Sequence, residues 1–369
     1  LAHYQQALEA YQKAFGDDWD PLERAALHRK IGEALFRRGQ NGQALEYFRG
    51  ALQDLGKPLP ATRIGTRFAI ARELVKQVAH RCVPWVRPRV NEQPVHPSIQ
   101  EELRLYEAIG WIDAFDNYER FFLISLKALN AAEKAGFAGG VVKGMVGLGT
   151  ISDLMGLFRI ASWYQKRAHQ LAEESGNPTG QGLSHTGLTL HHVCLAEWDK
   201  ALHHARRASH IFRSTGDLHG LGCSLYLAAV SLAYQGQFGN ALTLCDEMQS
   251  IGDDASDPQL TSWGLATRGF VLRLTNRCDD AETTFTQAYE VAETIQDHVV
   301  LMWAASESGR VRLHQNRPDQ ASKDLELSSD LLTRRKHMSL IWVPLRNALC
   351  EACLATAEHE TGNERREAL

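Results

Sequence analysis

Apolar residues recur along this chain at helical spacing, in pairs of segments joined by a short turn. In one such pair, the apolar face of the first segment consists of Leu148, Ile151, Leu154 and Met155, and that of the second of Ile160, Ala161, Tyr164, Ala168, Leu171 and Ala172. This spacing predicts one helix over about 141–155 and a second over about 158–174.

The same pattern returns at a fixed step of 40 residues, marked by Ala161, Ala201, Ala241, Ala281 and Ala321. A constant period of this size is typical of a stacked repeat array. We expect the repeated alanine to lie where the two helices of a pair approach closely. Five residues before the repeated alanine, or before Ala44 in the N-terminal repeat, most repeats carry a residue that tolerates the left-handed conformation ending a helix. These residues are Gly39, Gly156, Gly236, Asn276 and Asn316. Ala196 departs from this rule, which predicts a strained or different turn.

The segment LHRKIGEALFRRGQNGQALEYFRGAL resembles a tetratricopeptide repeat (TPR). The family pattern falls here on Ile31, Gly32, Leu35, Ala44, Phe48 and Ala51, and recurs on Leu148 and Gly149 with Ala161 and Ala168, and on Gly269 with Ala281, Phe285 and Ala288. HEAT repeats have a similar length, but the glycine and small-alanine positions favour the TPR interpretation. The resemblance implies an all-α, right-handed superhelical solenoid of TPR-like helix pairs with a period of about 40 residues.

The regularity of the pattern predicts four parts. Residues 1–82 form N-terminal TPR-like helices, and residues 83–98 form a proline-rich loop. Residues 99–338 form six TPR-like repeats, and residues 339–369 form a capping helix and a polar tail. Within the first part we expect half a repeat over 1–15, a full repeat over 23–55 and one long amphipathic helix. The apolar face of this long helix consists of Ile64, Phe68, Ala71, Leu74, Val75, Val78 and Cys82.

A closer resemblance lies in the irregular part. The stretch RKIGEALFRRGQNGQALEYFRGALQDLGKPLPATR and the helix ending QVAHRCVPWV resemble the repeat region of large bacterial signalling proteins, as do ALNAAEKAGF and WYQKRAHQLAEESGNP. In those proteins a class III adenylate or guanylate cyclase, or a protein kinase, precedes a P-loop ATPase of the STAND/AAA type, and the repeats follow the ATPase. The catalytic and ATPase modules have no counterpart in these 369 residues.

Composition narrows the class of partner. A net charge of −4 gives no general reason to expect nucleic acid, and no apolar run approaches the length of a membrane span. The seven cysteines are odd in number and scattered, so we expect no disulfide framework and a cytoplasmic location.

Candidate chemistry is sparse. The chain has no phosphate-binding GxxxxGK[ST] loop, no GxSxG and no HExxH. Cys350 and Cys353 form a CxxC without a second pair nearby, as a structural zinc site would require. Histidines are frequent over residues 185–210, namely at His185, His191, His192, His203, His204 and His210, but they fall on several helical faces without an evident carboxylate partner. We therefore predict no catalytic residue, no cofactor and no metal.

These features predict a non-catalytic protein-interaction region, specifically the sensor or coupling arm of a larger ATPase-containing signalling protein. A free-standing TPR adaptor and a small-ligand or metal-binding helical domain remain alternatives. The expected partners are a protein or peptide and an upstream domain of the same chain. The apolar residues Tyr4, Leu8 and Tyr11 at the N-terminal edge predict self-association. Positions on the first helix of each pair predict a partner-binding groove formed by Tyr226, Tyr234, Trp263, Arg273, Trp303, Arg310 and His314, with Trp263 and Trp303 stacked along one wall.

Overall fold

A computed structural model describes residues 9–11, 19–82, 95–335, 350–351 and 354. Every regular element in this part of the chain is a helix, so the predicted all-α fold is confirmed. The helices are α1 (Pro21–Arg37), α2 (Asn41–Asp54), α3 (Arg63–Cys82), α4 (Pro97–Asp116), α5 (Tyr118–Ala135), α6 (Ala138–Leu154), α7 (Phe158–Ser175), α8 (Pro178–Cys194), α9 (Trp198–Thr215), α10 (Leu218–Tyr234), α11 (Phe238–Ala255), α12 (Pro258–Leu274), α13 (Cys278–Ile295), α14 (His298–His314) and α15 (Pro318–Arg335).

The chain divides into two compact units. The first unit comprises Leu1–Asp153 and Leu157–Leu227, and the second comprises Leu154–Gly156 and Ala228–Leu369. Consecutive helices pack in antiparallel pairs within each unit, for example α8 with α9 in the first and α12 with α13 in the second. In the second unit α12 also contacts α14, which is the first helix of the next pair.

Side-chain caps define where several first helices begin. Asn177 precedes α8, and its side chain accepts hydrogen bonds from the backbone N–H groups of Thr179 and Gly180. Asp257 caps α12 in the same way. Both caps are followed by proline at the first helical position, where a missing N–H has no cost.

The turns within pairs adopt the left-handed conformation that the sequence predicts. Ala196 has a φ of 56°, so it forms the same turn as its counterparts instead of a different one. The predicted positions have φ values of 76° at Gly39, 76° at Gly156, 74° at Gly236, 59° at Asn276 and 58° at Asn316. A second left-handed series ends the second helices, at Gly136, Gly176, Gly216, Ser256 and Gln296.

The core confirms the role of the repeated alanine. Ala161, Ala201, Ala241, Ala281 and Ala321 are all fully buried. Helix pairs also interlock at a second position. A Cβ atom added to Gly269 of α12 would lie 2.7 Å from the ring of Phe285 in α13. Gly32 faces Phe48, Gly149 faces Gln165 and Gly309 faces Leu325 in the same way. A missing side chain on the first helix therefore makes room for a large one on the second.

Helix α3 has the reverse of the usual amphipathic arrangement. Its apolar face is exposed, with Ile64 at 82%, Phe68 at 75% and Val75 at 69% exposure. The side chains of Glu73 and Gln77 are buried instead, and both contact Asn130 of α5. An apolar helix face normally packs into the core, and here a polar face does so because α5 offers it hydrogen-bonding partners.

Several predicted features lie outside the described residues. These are Tyr4, Leu8, Cys353, most of the proline-rich segment 83–98, and nearly all of the capping region 339–369. No helix in the described part of the chain is long and apolar enough to cross a lipid bilayer.

Candidate interaction surfaces

Three aromatic rings on consecutive first helices form a series in the second unit. The ring centroids of Tyr234 and Phe270 are 5.5 Å apart, and those of Phe270 and Trp303 are 6.0 Å apart. These residues belong to α10, α12 and α14 respectively, so one ring comes from each pair. Tyr234 is about half exposed, and Phe270 is buried between its neighbours. We call this arrangement the aromatic series.

A buried carboxylate lies beside the aromatic series. Glu307 of α14 is 3% exposed, and Arg273 Nε of α12 donates a hydrogen bond to its Oε2 atom. The Arg273 guanidinium also lies over the Phe270 ring, 5.5 Å from its centroid. An internal carboxylate of the neighbouring first helix therefore already pairs with the Arg273 guanidinium.

Arg310 is held less tightly. Its Nη1 atom is 3.7 Å from Glu307 Oε1, beyond hydrogen-bonding distance. It lines a cavity of about 430 Å³ together with Arg273, Leu313, His314 and Glu351. Partial desolvation and the nearby Glu307 raise the pKa of Tyr234, so its hydroxyl stays protonated at neutral pH. We call the aromatic series, the two arginines and this cavity the second-unit groove.

Trp263 occupies a different environment from Trp303. It is 6% exposed, and its indole Nε1 donates a hydrogen bond to Asp297 Oδ2 at 3.2 Å. Asp297 caps the start of α14, so Trp263 joins α12 to the beginning of the next first helix. The two tryptophans are 40 residues apart, yet only Trp303 belongs to the aromatic series. Tyr226 is half-buried and belongs to the first unit.

The first unit contains a separate cavity of about 500 Å³. Trp111 and His219 meet edge to face across it, with ring centroids 4.6 Å apart, and Phe36 lies 6.0 Å from His219. Charged residues of both signs surround these rings, namely Lys30, Glu33, Arg37, Arg104 and Glu107. We call this site the first-unit cavity. Its walls come from repeats far apart in sequence, so the sequence pattern does not predict it.

Sequence reasoning missed two residues of the second-unit groove, Phe270 and Glu307. Glu307 carried a detectable signal, because it is a lone acidic residue within the apolar segment VVLMWAASESG. A charged residue at such a position is buried at high cost unless it is paired. Arg273, one repeat earlier, supplies the pairing.

No family model matches the chain, and no curated protein matches it significantly. Solved structures do match. One is a signal transduction ATPase with numerous domains (STAND) protein with a tetratricopeptide repeat sensor from Pyrococcus horikoshii. It has 12% identity and a TM-score of 0.50, and the match covers 90% of this chain and 49% of that protein.

Two further matches are proteins that were solved as complexes. A Rap protein complexed with competence and sporulation factor has 11% identity and a TM-score of 0.49, covering 93% of this chain and 98% of that one. NprR in complex with its cognate peptide NprX has 13% identity and a TM-score of 0.49, covering 96% and 84%. At such low identity the similarities concern the fold. Together with the helix pairs, the match to the STAND protein confirms the TPR-like repeat predicted from the sequence.

Proposed function

We propose that this chain is a non-catalytic protein-interaction region that binds a protein or peptide through the second-unit groove. The observation that supports this proposal is the aromatic series beside Arg310. Aromatic and arginine side chains dominate binding energy at protein interfaces, and here they lie on neighbouring first helices. Arg310 retains donors that Glu307 does not use, and these suit a carboxylate of the bound segment.

The groove contains one feature that favours specificity. The Arg273 guanidinium is fixed by its ion pair with Glu307 and by its contact with the Phe270 ring, so it holds the aromatic series in place. A ligand carboxylate would then bind Arg310, and the rest of the ligand would pack against the rigid aromatic series. Such a preorganised surface loses little side-chain entropy on binding.

We further propose that the chain acts as the sensor or coupling arm of a larger ATPase-containing signalling protein of the cyclase or kinase type, located in the cytoplasm. The support is the resemblance of its irregular N-terminal part to such proteins, and the fold it shares with a STAND protein that carries a TPR sensor. An upstream domain and a second copy bound at the N-terminal edge are further proposed partners. The gene upstream of Leu1 tests this context: a P-loop ATPase there supports the sensor arm, and a nearby start codon supports a free-standing adaptor.

Binding is tested with a peptide library in two forms, one with a free C-terminal carboxylate and one amidated. We expect the chain to select peptides from the free-acid form and to bind their amidated counterparts more weakly in fluorescence polarisation. The double variant Trp303→Ala with Arg310→Ala should weaken binding of a selected peptide by about 2 kcal/mol, roughly 30-fold, while its helical circular dichroism stays unchanged.

An arginine and a tryptophan outside the second-unit groove serve as matched controls. Arg268 lies on α12 like Arg273 but pairs with the exposed Asp246, and Trp163 on α7 is 47% exposed. Arg268→Ala and Trp163→Ala should leave peptide affinity unchanged. Equal binding by the groove variant and the parent contradicts the groove. If Trp111→Ala then abolishes binding, the first-unit cavity is the recognition site.

A further inference from the structure

Helices α7, α8 and α9 bring a cluster of histidines together in the first unit. The ring of His185 is 4.7 Å from that of His169 and 5.2 Å from that of His204. These three residues come from three different helices, although only His185 and His204 lie in the histidine-rich stretch of the sequence. The third ring, His169, precedes that stretch by 16 residues.

A carboxylate completes the cluster. Glu173 follows His169 by one helical turn on α7, which places both side chains on the same face. Ligand atoms of His169, Glu173 and His185 all lie within 4.8 Å of one another. Glu173 is exposed, His169 is half-buried and His185 is buried, so the group opens to solvent on the carboxylate side.

Hydrogen bonds determine the tautomer of His169. Ser184 Oγ donates its hydrogen to the carbonyl oxygen of Gln181 at 2.9 Å. The Ser184 Oγ atom lies 3.2 Å from His169 Nδ1, and because its own hydrogen is used it accepts a hydrogen bond from that nitrogen. With the proton on Nδ1, the Nε2 atom of His169 carries the lone pair that a metal ion requires. Metal-binding histidines are commonly oriented by a partner on their other nitrogen in this way.

His185 and His204 face each other within the cluster. Their Nδ1 atoms are 2.9 Å apart. A hydrogen bond at this distance places its proton on one Nδ1 atom, and the ring that donates keeps a lone pair on its Nε2 atom. With His185 as the donor, its Nε2 atom is free to coordinate a metal ion.

We propose that His169, Glu173 and His185 form a binding site for a divalent transition-metal ion, zinc in particular. Two imidazoles and one carboxylate, with a water molecule in the fourth position, are a donor set that zinc accepts in tetrahedral geometry. Zinc ligands in that geometry are about 3.3 Å apart, so separations of up to 4.8 Å must shorten by at most about 1.5 Å. Rotation of the exposed Glu173 and half-buried His169 side chains supplies this change.

The local charges set the strength of the site. The positive charge of Arg207 acts on His185, and it disfavours a cation at the same place. Glu173 is the charged ligand that offsets this repulsion. A variant lacking that charge should therefore lose affinity even though its shape is preserved.

The test uses the full chain without affinity tags that contain histidine. Isothermal titration with Zn²⁺ should give one tight site, and Co²⁺ should produce the visible absorption bands of a tetrahedral complex. Glu173→Gln and His169→Gln should each weaken Zn²⁺ binding by at least about tenfold. The control His210→Gln changes an exposed histidine on α9 and should leave the affinity unchanged.

Both ligand variants alter exposed or half-buried side chains, so loss of folding, checked by circular dichroism, is not the expected cause of weaker binding. The proposal is overturned if the parent chain binds no Zn²⁺ stoichiometrically. It is also overturned if Glu173→Gln and His169→Gln bind as tightly as the parent, because the metal then lies elsewhere. Peptide binding through the second-unit groove does not involve these residues, so failure here leaves that proposal intact.

Discussion

At the scale of single residues, the left-handed turn positions show how strictly the repeat controls backbone conformation. Ala196, Ser256 and Gln296 adopt positive φ although each carries a side chain that disfavours it. Glycine occupies equivalent positions elsewhere at φ values between 63° and 76°. The packing of adjacent helices therefore enforces the turn even where the local residue opposes it.

This strain can be relieved by substitution. We expect Ala196→Gly to raise the free energy of unfolding by about 0.5–1 kcal/mol, because glycine adopts φ of 56° without a Cβ clash. The same substitution at Ala71, an exposed position inside α3, should lower it by about 1 kcal/mol. Urea denaturation of the two variants measures both effects. A loss of stability in Ala196→Gly would show that the turn is unstrained.

At the scale of the helix pair, the side-chain volumes at two facing positions, one on each helix, compensate each other. Where the first helix has glycine, the second has a large residue, as with Gly269 and Phe285. The pair α8 and α9 has the reverse, with Thr189 and Ala205 at these positions, both fully buried. The packing constrains the combined volume of the two facing side chains and does not fix the volume of either one alone.

This exchange predicts a coupled pair of mutations. Gly269→Thr should destabilise the chain by about 1–3 kcal/mol, because its Cβ would meet the Phe285 ring at 2.7 Å. Phe285→Ala should cost about 3–5 kcal/mol by leaving a cavity. The double variant reproduces the threonine–alanine combination of α8 and α9. Its loss of unfolding free energy should be smaller than the sum of the two single losses by at least about 1 kcal/mol. Additive free energies of unfolding would contradict the interlocking.

Helix α3 marks where sequence reasoning reaches its limit at this scale. The sequence predicts the helix and its amphipathic character correctly, and likewise the turns and the buried alanines, because all of these follow from local spacing. Which face of α3 packs depends on Glu73 and Gln77 meeting Asn130, more than 50 residues away. The His169–His185 cluster and the Arg273–Glu307 pair also depend on contacts between helices, which a periodic pattern does not specify.

The reversed polarity of α3 has a direct test. Phe68→Ser should change stability by less than about 0.5 kcal/mol, because the ring is exposed. Glu73→Ala should cost about 2 kcal/mol, because the buried Asn130 amide loses its hydrogen bond to the carboxylate and keeps only the one to the backbone carbonyl of residue 73. Although burial opposes it, hydrogen bonds from Lys76 and Asn130 lower the pKa of Glu73 below 4.5, so its contribution is complete above that pH and is lost as the pH falls below it. A larger loss of unfolding free energy in Phe68→Ser than in Glu73→Ala would show that the apolar face of α3 packs inward.

At the scale of the whole molecule, the chain consists of two compact units built from the same repeat. In repeat arrays each layer contacts mainly its neighbours, so stability is a sum of local terms. The second-unit groove and the first-unit histidine cluster therefore belong to separate units of the array. A destabilising substitution in one unit should lower the local stability of that unit most strongly.

Hydrogen exchange with mass spectrometry tests this locality. Ala281→Leu overfills the contact between α12 and α13 and should destabilise that region by about 1–3 kcal/mol. We expect amides of α12, α13 and α14 to exchange faster in this variant, with α1 and α2 changing little, because opening is local in such arrays. Ala44→Leu, at the equivalent position in α2, should produce the reverse distribution. Uniform acceleration along the chain in both variants would instead show that the two units unfold as a single cooperative structure.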